Sequence, residues 1–322
     1  MHSELLYTLE GVAFGLRNDG RNLLDCRECS VEFDVLPHTS GSCQFNGFGT
    51  ELVVGVVAVL AQPDVGTPAM GRIIVSVSRE PSNSIAAGLS EREALVYGAP
   101  DSEGKRLWLE RALLHLCGPS TVPDALRTLC IAPGRQCWEL RAHVQLIRSD
   151  GCPLDAAALA LRCALQNTRL PRITIAAPVS FAESGGDVRD HHQLDGCMCP
   201  TGRHYTSREP GGIGPLSGRL DFELDETLDS SQSFDASELP LYITLASLGG
   251  RLVADCTAKE RAAASCAISL AVDAHGEIAA LCGGGGLGIH SATLPSAIAT
   301  SRLLAERLQV GVAGAVAVKT RS

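Results

Sequence analysis

Within residues 128–175, one run leaves the chain few folds to choose from. Over 154–166 nearly every residue is apolar, with Arg162 the exception. A helix with no polar face must be covered on both sides, so it belongs at the centre of a layered domain. The residues before it have another period. Trp138, Leu140, Ala142, Val144 and Leu146 alternate with Glu139, Arg141, His143 and Gln145, which predicts a half-buried antiparallel strand. Ser149, Asp150 and Gly151 supply turn chemistry. Pro153 and Asp155 suit a first helical turn, where a missing N–H costs nothing and a carboxylate meets the positive end of the dipole. Asn167 and Pro171 stop the helix, and residues 172–176 resume an extended run. The whole is one strand–turn–helix–strand unit.

The rest of the chain is arranged about that unit. Residues 10–21 end in a polar, turn-forming cluster. The alternation of Cys29, Val31, Phe33 and Val35 predicts a first strand. Strands over 42–45 and 51–60 meet across Asn46-Gly-Phe-Gly49, a hairpin signal. A fourth strand covers 71–78, and the four read as a meander. Residues 79–101 form a long loop. A helix over 103–117 carries Leu109, Ala112, Leu113 and Leu116 on one side, with Lys105, Arg106 and Arg111 elsewhere. After residue 240 the pattern repeats: strands over 241–247, 251–254, 265–272 and 277–282, then a helix over 295–309. Leu294, Ala297, Ile298, Ser301, Leu304, Ala305 and Leu308 form its apolar stripe. Two similar ββ…α halves around a central helix predict an α+β fold, read as a single domain over 1–322.

Charge distinguishes the remaining segment. Residues 178–240 hold 12 Asp and Glu against 4 Arg, or −8 of the net −9. With few large apolar residues, this acidic stretch is expected to be a mobile insertion. The rest of the chain is nearly neutral, without the basic excess of a protein that grips nucleic acid alone. Any RNA contact is expected to be a local patch or shared with partners. No apolar run reaches the roughly 20 residues of a membrane helix, and no secretory signal opens the sequence. The 13 cysteines then read as reduced thiols, without disulfides.

Several motifs carry chemistry in principle. Gly283-Gly-Gly-Gly-Leu-Gly288 satisfies G-x-G-x-x-G, a dinucleotide signature; the nearby strands read as antiparallel, and the run is expected to be a flexible strand-to-helix loop. His191, His192, Cys197, Cys199 and His204 are dense enough for zinc, but C-x-C is not the common spacing. No metal and no cofactor is expected. Cys26-Arg-Glu-Cys29 matches C-x-x-C without a surrounding βαβ unit, so Cys29 is expected in the core of a strand. Asp255, ending a strand ahead of Lys259, Glu260 and Arg261, suits either acid–base chemistry or a solvated turn.

Arg17-Asn-Asp-Gly-Arg21, Gly47-Phe-Gly-Thr-Glu-Leu-Val-Val-Gly-Val56, Cys130-Ile-Ala-Pro-Gly-Arg-Gln-Cys-Trp138, Asp150-Gly151, Asp155-Ala-Ala and Ala164-Leu-Gln-Asn-Thr-Arg-Leu-Pro-Arg172 together give the chain a family likeness. It resembles the RNase PH-like ring subunits of the RNA exosome, nearest the non-catalytic type that partners the active subunit in archaea. The resemblance implies the RNase PH fold, of the ribosomal protein S5 domain 2-like kind. It implies partners too: paralogous RNase PH-like subunits in a hexameric ring, S1/KH cap proteins, an associated ribonuclease, and RNA. The implied location is nucleus, nucleolus and cytoplasm, away from membranes.

Active members of that family phosphorolyse RNA from its 3′ end, using a hydroxyl-bearing phosphate loop and several acids. Here the loop reads Asp150-Gly-Cys-Pro153, and Asp255 matches one acid, while the position six residues on is Arg261. Losing a carboxylate and gaining a cation removes acid–base or metal assistance, so no catalytic residue is assigned. The inactive partner lends arginines to a shared RNA path. Arg106 and Arg111 are the candidates, with Arg111 at the family's first helix arginine and Leu114 in place of the second. The alternative implied by the same family is an active phosphate-dependent 3′–5′ exoribonuclease.

Overall fold

The computed structural model describes residues 2–79, 103–175, 222–225, 231–286 and 290–319. Most of the expected loop at 79–101 lies outside them, as do His191, His192, Cys197, Cys199 and His204. Residues 1–170 and 231–322 form one compact unit, and 171–230 a second.

The first unit opens with helix α1 (His2–Ala13), which sequence reading did not anticipate. Strands β1 (Cys29–Phe33), β2 (Gly41–Gly47), β3 (Thr50–Ala61) and β4 (Arg72–Arg79) follow. β2 and β3 are joined by two residues with positive φ, Phe48 at 53° and Gly49 at 65°. This is the primed geometry that matches strand twist. The Phe48 ring is buried beside Phe45, which fixes a non-glycine residue where it would otherwise be strained. Helix α2 (Glu103–Leu116) and the short α3 (Pro123–Thr128) lead to β5 (Cys130–Ala132) and the long β6 (Gln136–Arg148).

The sheet order is β1-β2-β3-β6-β4, with β5 also on β6. β4 is therefore no continuation of a meander. It lies parallel to β6, on the side away from β3. Parallel neighbours need a crossover, and α2, packed on β4, lies within it. The alternation read in β6 is present: Trp138, Leu140, Ala142, Val144 and Leu146 are all buried. Glu139, on the opposite face, is also buried because Arg72 and Arg141 both donate to its carboxylate.

Helix α4 (Pro153–Gln166) is the expected central helix, buried without a break from Leu154 to Leu165. It packs on β2 and β3 on one side and on β11 (Leu241–Leu248) on the other. Arg162 does not mark a wet face. It is buried, and its guanidinium donates to the carbonyls of Ser237 and Leu239, at 2.6 and 3.3 Å. Residues 231–240, read as the end of the acidic insertion, are accordingly part of this unit. Phe234, Ala236 and Leu239 are buried, and β10 (Gln232–Ser233) pairs with β7 (Arg169–Leu170).

The second sheet runs β12 (Arg251–Ala254), β11, β13 (Cys266–Val272), β14 (Ile278–Gly286), all antiparallel. The glycine run is not a loop: Gly283, Gly284 and Gly286 pair with Ile268, Ala267 and Cys266 inside β14. The short α5 (Ala258–Ala263) joins β12 to β13. Helix α6 (Leu294–Lys319) covers β11 and β13 with the predicted stripe, led by Ala297, Leu304 and Ala305. In the second unit, β8 (Arg172–Ile175) and β9 (Phe222–Asp225) pair antiparallel.

One polar link ties α4 to the second sheet. Asp155 accepts from the Thr244 amide at 2.7 Å and lies 2.5 Å from the Thr244 hydroxyl, which in turn meets Ser269 at 2.8 Å. Burial pushes the Asp155 carboxyl up to about 7, although the bonds from Thr244 pull it down. A raised carboxyl stabilises the fold fully below its ordinary value of 3.8, and that contribution is lost as pH rises to about 7. Asp155→Asn is therefore expected to flatten the pH dependence. Between those limits its unfolding free energy should gain on the parent's by up to ~4 kcal/mol, and parallel urea titrations that show equal slopes with pH would refute this.

Candidate functional site

The strongest concentration of buried charge lies where the turn after β12 meets the segment between α1 and β1. Asp255 directly follows β12 at a φ of 44° and is only 4% exposed, so it is neither a solvated turn nor a free acid. The Arg27 Nε donates to its Oδ2 at 2.9 Å and Nη2 to its Oδ1 at 2.6 Å, a two-pronged grip. The Arg27 amide adds a bond at 2.7 Å, and Arg21 Nη1 another at 2.9 Å. Both carboxylate oxygens are thus occupied by cations of the same chain.

Glu260 is held in the same way. It stands at the third position of α5, where Thr257 and Glu260 form a reciprocal cap. Its carboxylate takes Arg17 Nε at 2.8 Å and Nη2 at 2.7 Å. The Arg17 side chain has no exposed surface and also reaches the carbonyls of Ala254 and Asp255, at 3.1 and 2.9 Å. Burial works against the Arg17 charge, but Glu260 more than offsets it and the pKa rises. Arg27 behaves alike, with Asp255 and then Asp150 overcoming burial. Cys26, next to this cluster, is pushed up to about 12 by burial and then by Asp255, which leaves it a thiol rather than a nucleophile.

The loop ahead of α4 closes the other side. Asp150 accepts from Arg27 Nη1 at 2.9 Å and from the Ala258 amide at 2.7 Å. Gly151 has a φ of 96°, and a Cβ there would lie 1.8 Å from the Cys256 carbonyl oxygen. Cys152 takes the N-cap position but makes no capping bond, and its thiol is buried. Gly49, at the hairpin tip, leaves room for Arg27: a Cβ would fall 2.3 Å from Nη1. So the loop packs on the turn after β12.

Arg261 stands where a second acid was sought. Its Nη1 is buried and has no hydrogen-bond partner. The cluster therefore holds four arginines, at 17, 21, 27 and 261, against four acids, Asp19, Asp150, Asp255 and Glu260, with Asp19 2.7 Å from Arg21. Such an arrangement holds chain segments together, and both oxygens of Asp255 and of Glu260 are already bonded to donors. No group of His, Cys, Asp and Glu among the described residues has the arrangement of a metal site.

The sequence-predicted arginines lie elsewhere, on α2. Arg106 is engaged by Glu103 at 2.5 Å, Glu110 at 3.0 Å and the Val77 carbonyl at 3.1 Å. Arg111 is exposed and makes no ion pair or hydrogen bond among the described residues. Cys29 opens β1 in an exposed position, not in the core, because the first strand of the sheet has only one covered side. Arg17, Arg21, Arg27, Asp150 and Glu260 were missed as a cluster. Only Thr257-x-x-Glu260 carried a local signal, the spacing of a capping box.

Comparison with known proteins places this geometry. Residues 25–171 match the model of the 3′ exoribonuclease family, domain 1, and residues 238–302 that of domain 2. The exosome complex component Rrp42 of Methanothermobacter thermautotrophicus is 32% identical over 155 residues, 48% of this chain and 53% of that protein. The chain thus spans about half the length of this relative. A putative exosome complex exonuclease RRP42 of Dictyostelium discoideum is 22% identical over 95% of this chain and 94% of its own. Among solved structures, an archaeal exosome core subunit superposes with a TM-score of 0.65 at 18% identity, over 97% of this chain and 96% of that one. The similarity extends over both sheets and the helix between them, and the fold is that of RNase PH. With both halves of the family's domain pair matched in order, the chain belongs to the RNase PH-like 3′ exoribonuclease family.

Proposed function

We propose that this chain is a non-catalytic ring subunit of an exosome-type core, supporting 3′–5′ RNA processing and degradation through shape and contacts. The observation that carries the reading is the state of Asp255, whose two oxygens are taken by Arg21 and Arg27. Arg261 at the second acid position and Cys152, buried in the loop, support the same reading, since neither offers the carboxylate or hydroxyl that active members use. The names of the relatives favour the same assembly. Partners in this reading are paralogous RNase PH-like subunits closing a hexameric ring, S1/KH cap proteins, an associated ribonuclease, and RNA in the central channel. The chain works in nucleus, nucleolus and cytoplasm. Arg111, which has no partner among the described residues, is the better of the two candidate RNA contacts; Arg106 is partly neutralised by Glu103 and Glu110.

The competing reading is an active phosphorolytic exoribonuclease, favoured by the family's own description. Incubated alone with RNA and inorganic phosphate, the purified chain is expected to release no nucleoside diphosphate; release would establish that reading instead. Native mass spectrometry of the complex it copurifies with is expected to show a ring of paralogues.

Asp255→Ala leaves two partly buried guanidinium groups without their shared counter-charge. It should lower the unfolding free energy by about 3–5 kcal/mol, while assembled rings that contain it keep their RNA turnover. A loss of turnover at unchanged stability would contradict the structural role. Arg111→Glu should weaken RNA retention by the assembled ring and reduce its log–log salt slope by about 1. Arg106→Glu should have the smaller effect, and equal retention by parent and Arg111→Glu rings would remove Arg111 from the RNA path.

A further inference from the structure

Eleven cysteines among the described residues are free thiols, and one pair differs from the rest in its placement. β5 and β6 are antiparallel, and their register pairs Cys130 with Cys137, with a one-residue bulge following between Cys130 and Ala132. The Trp138 amide donates to the Leu129 carbonyl at 2.8 Å. That bond flanks the 130/137 pair, which is therefore a non-hydrogen-bonded one, with both side chains on the same face of the ribbon. In such pairs the Cα atoms are about 4.5 Å apart, inside the roughly 4.4–6.8 Å that a disulfide spans. Cys137 is buried and Cys130 partly exposed, so one sulfur is open to reagent and the other is held behind it.

Other cysteines do not combine these features. Cys43 and Cys163 are both buried, as are Cys152 and Cys256, so neither pair has a sulfur at the surface.

We propose that Cys130 and Cys137 are a reversible redox pair, closing to an intramolecular disulfide when a low-molecular-weight disulfide such as oxidised glutathione accumulates. The Cys130 thiolate attacks one sulfur of that reagent and expels the first thiol, leaving a mixed disulfide on Cys130. The Cys137 thiolate then attacks the Cys130 sulfur and expels the second. The protein loses two electrons and two protons, and the reagent is reduced to two thiols. Burial holds both thiols above their ordinary range, with the Arg72 guanidinium pulling Cys137 partly back. Closure is accordingly faster at alkaline pH, where more thiolate forms. The ring so formed encloses residues 131–136, including the exposed Arg135 and Gly134, whose amide donates to the Pro68 carbonyl at 2.7 Å. The proposal does not rest on the assignment to a ring.

The sequence offers a direct test. Trypsin cuts after Arg127, Arg135 and Arg141, which places Cys130 and Cys137 in separate peptides with one cysteine each. Native full-length chain is equilibrated with oxidised glutathione, blocked with an alkylating agent and digested without reduction. The expected result is a linked pair of peptides 128–135 and 136–141, about 2 Da lighter than their sum, that separates on reduction. Cys130→Ser should abolish the link, whereas Cys266→Ser should leave it intact. Glutathione adducts on Cys130 without the link, unmodified thiols after equilibration, or a link that forms only after denaturation would each overturn the proposal.

Discussion

Two carboxylates buried near the ends of β12 and α5 depend on arginines from more than 200 positions earlier in the chain, with Arg17 and Glu260 separated by 243 residues. A buried ion pair stands only when its remaining lone pairs and protons are also satisfied, because desolvation cancels most of the attraction. That condition is met here by the carbonyls of Ala254 and Asp255 and by the cap at Thr257. The segment between α1 and β1, which has no regular structure of its own, is thereby fixed against the second sheet. Asp150 ties the start of α4 to the same cluster. The first sheet, the central helix and the second sheet thus meet at one set of charges.

This junction also determines what its carboxylates can do. Carboxylates that hold a fold together are saturated with donors; those that move protons keep a free oxygen facing a substrate. Asp255 is of the first kind, and the cation at 261 carries the neighbourhood further from acid–base chemistry. Away from this junction, α2 presents Arg111 to solvent.

The central helix, the 136–148 strand and the stripe on α6 were readable because their signals are local: composition around one helix, alternation along one strand, a period along another helix. The place of β4 was not. Whether a fourth strand follows the third or crosses to the far side of β6 depends on where α2 finds an apolar surface, and residues 72–79 do not encode that. The glycine run in β14 has no side chains to show a period, so only its partner β13 identifies it as a strand. Phe234, Ala236 and Leu239 were hidden in the average of an acidic window, although Arg162 on the central helix draws that segment in. Within the site, Asp255 and the altered acid position were visible in the chain, whereas the three N-terminal arginines gave no sign of their destination.

The contact between Gly151 and Cys256 bears on how this lineage could change. With a positive φ and the Cys256 carbonyl this near, only a residue without a Cβ fits at 151 unless the facing turn shifts. Variation there is therefore paired: the loop ahead of α4 and the turn after β12 must drift in concert, or neither can drift at all.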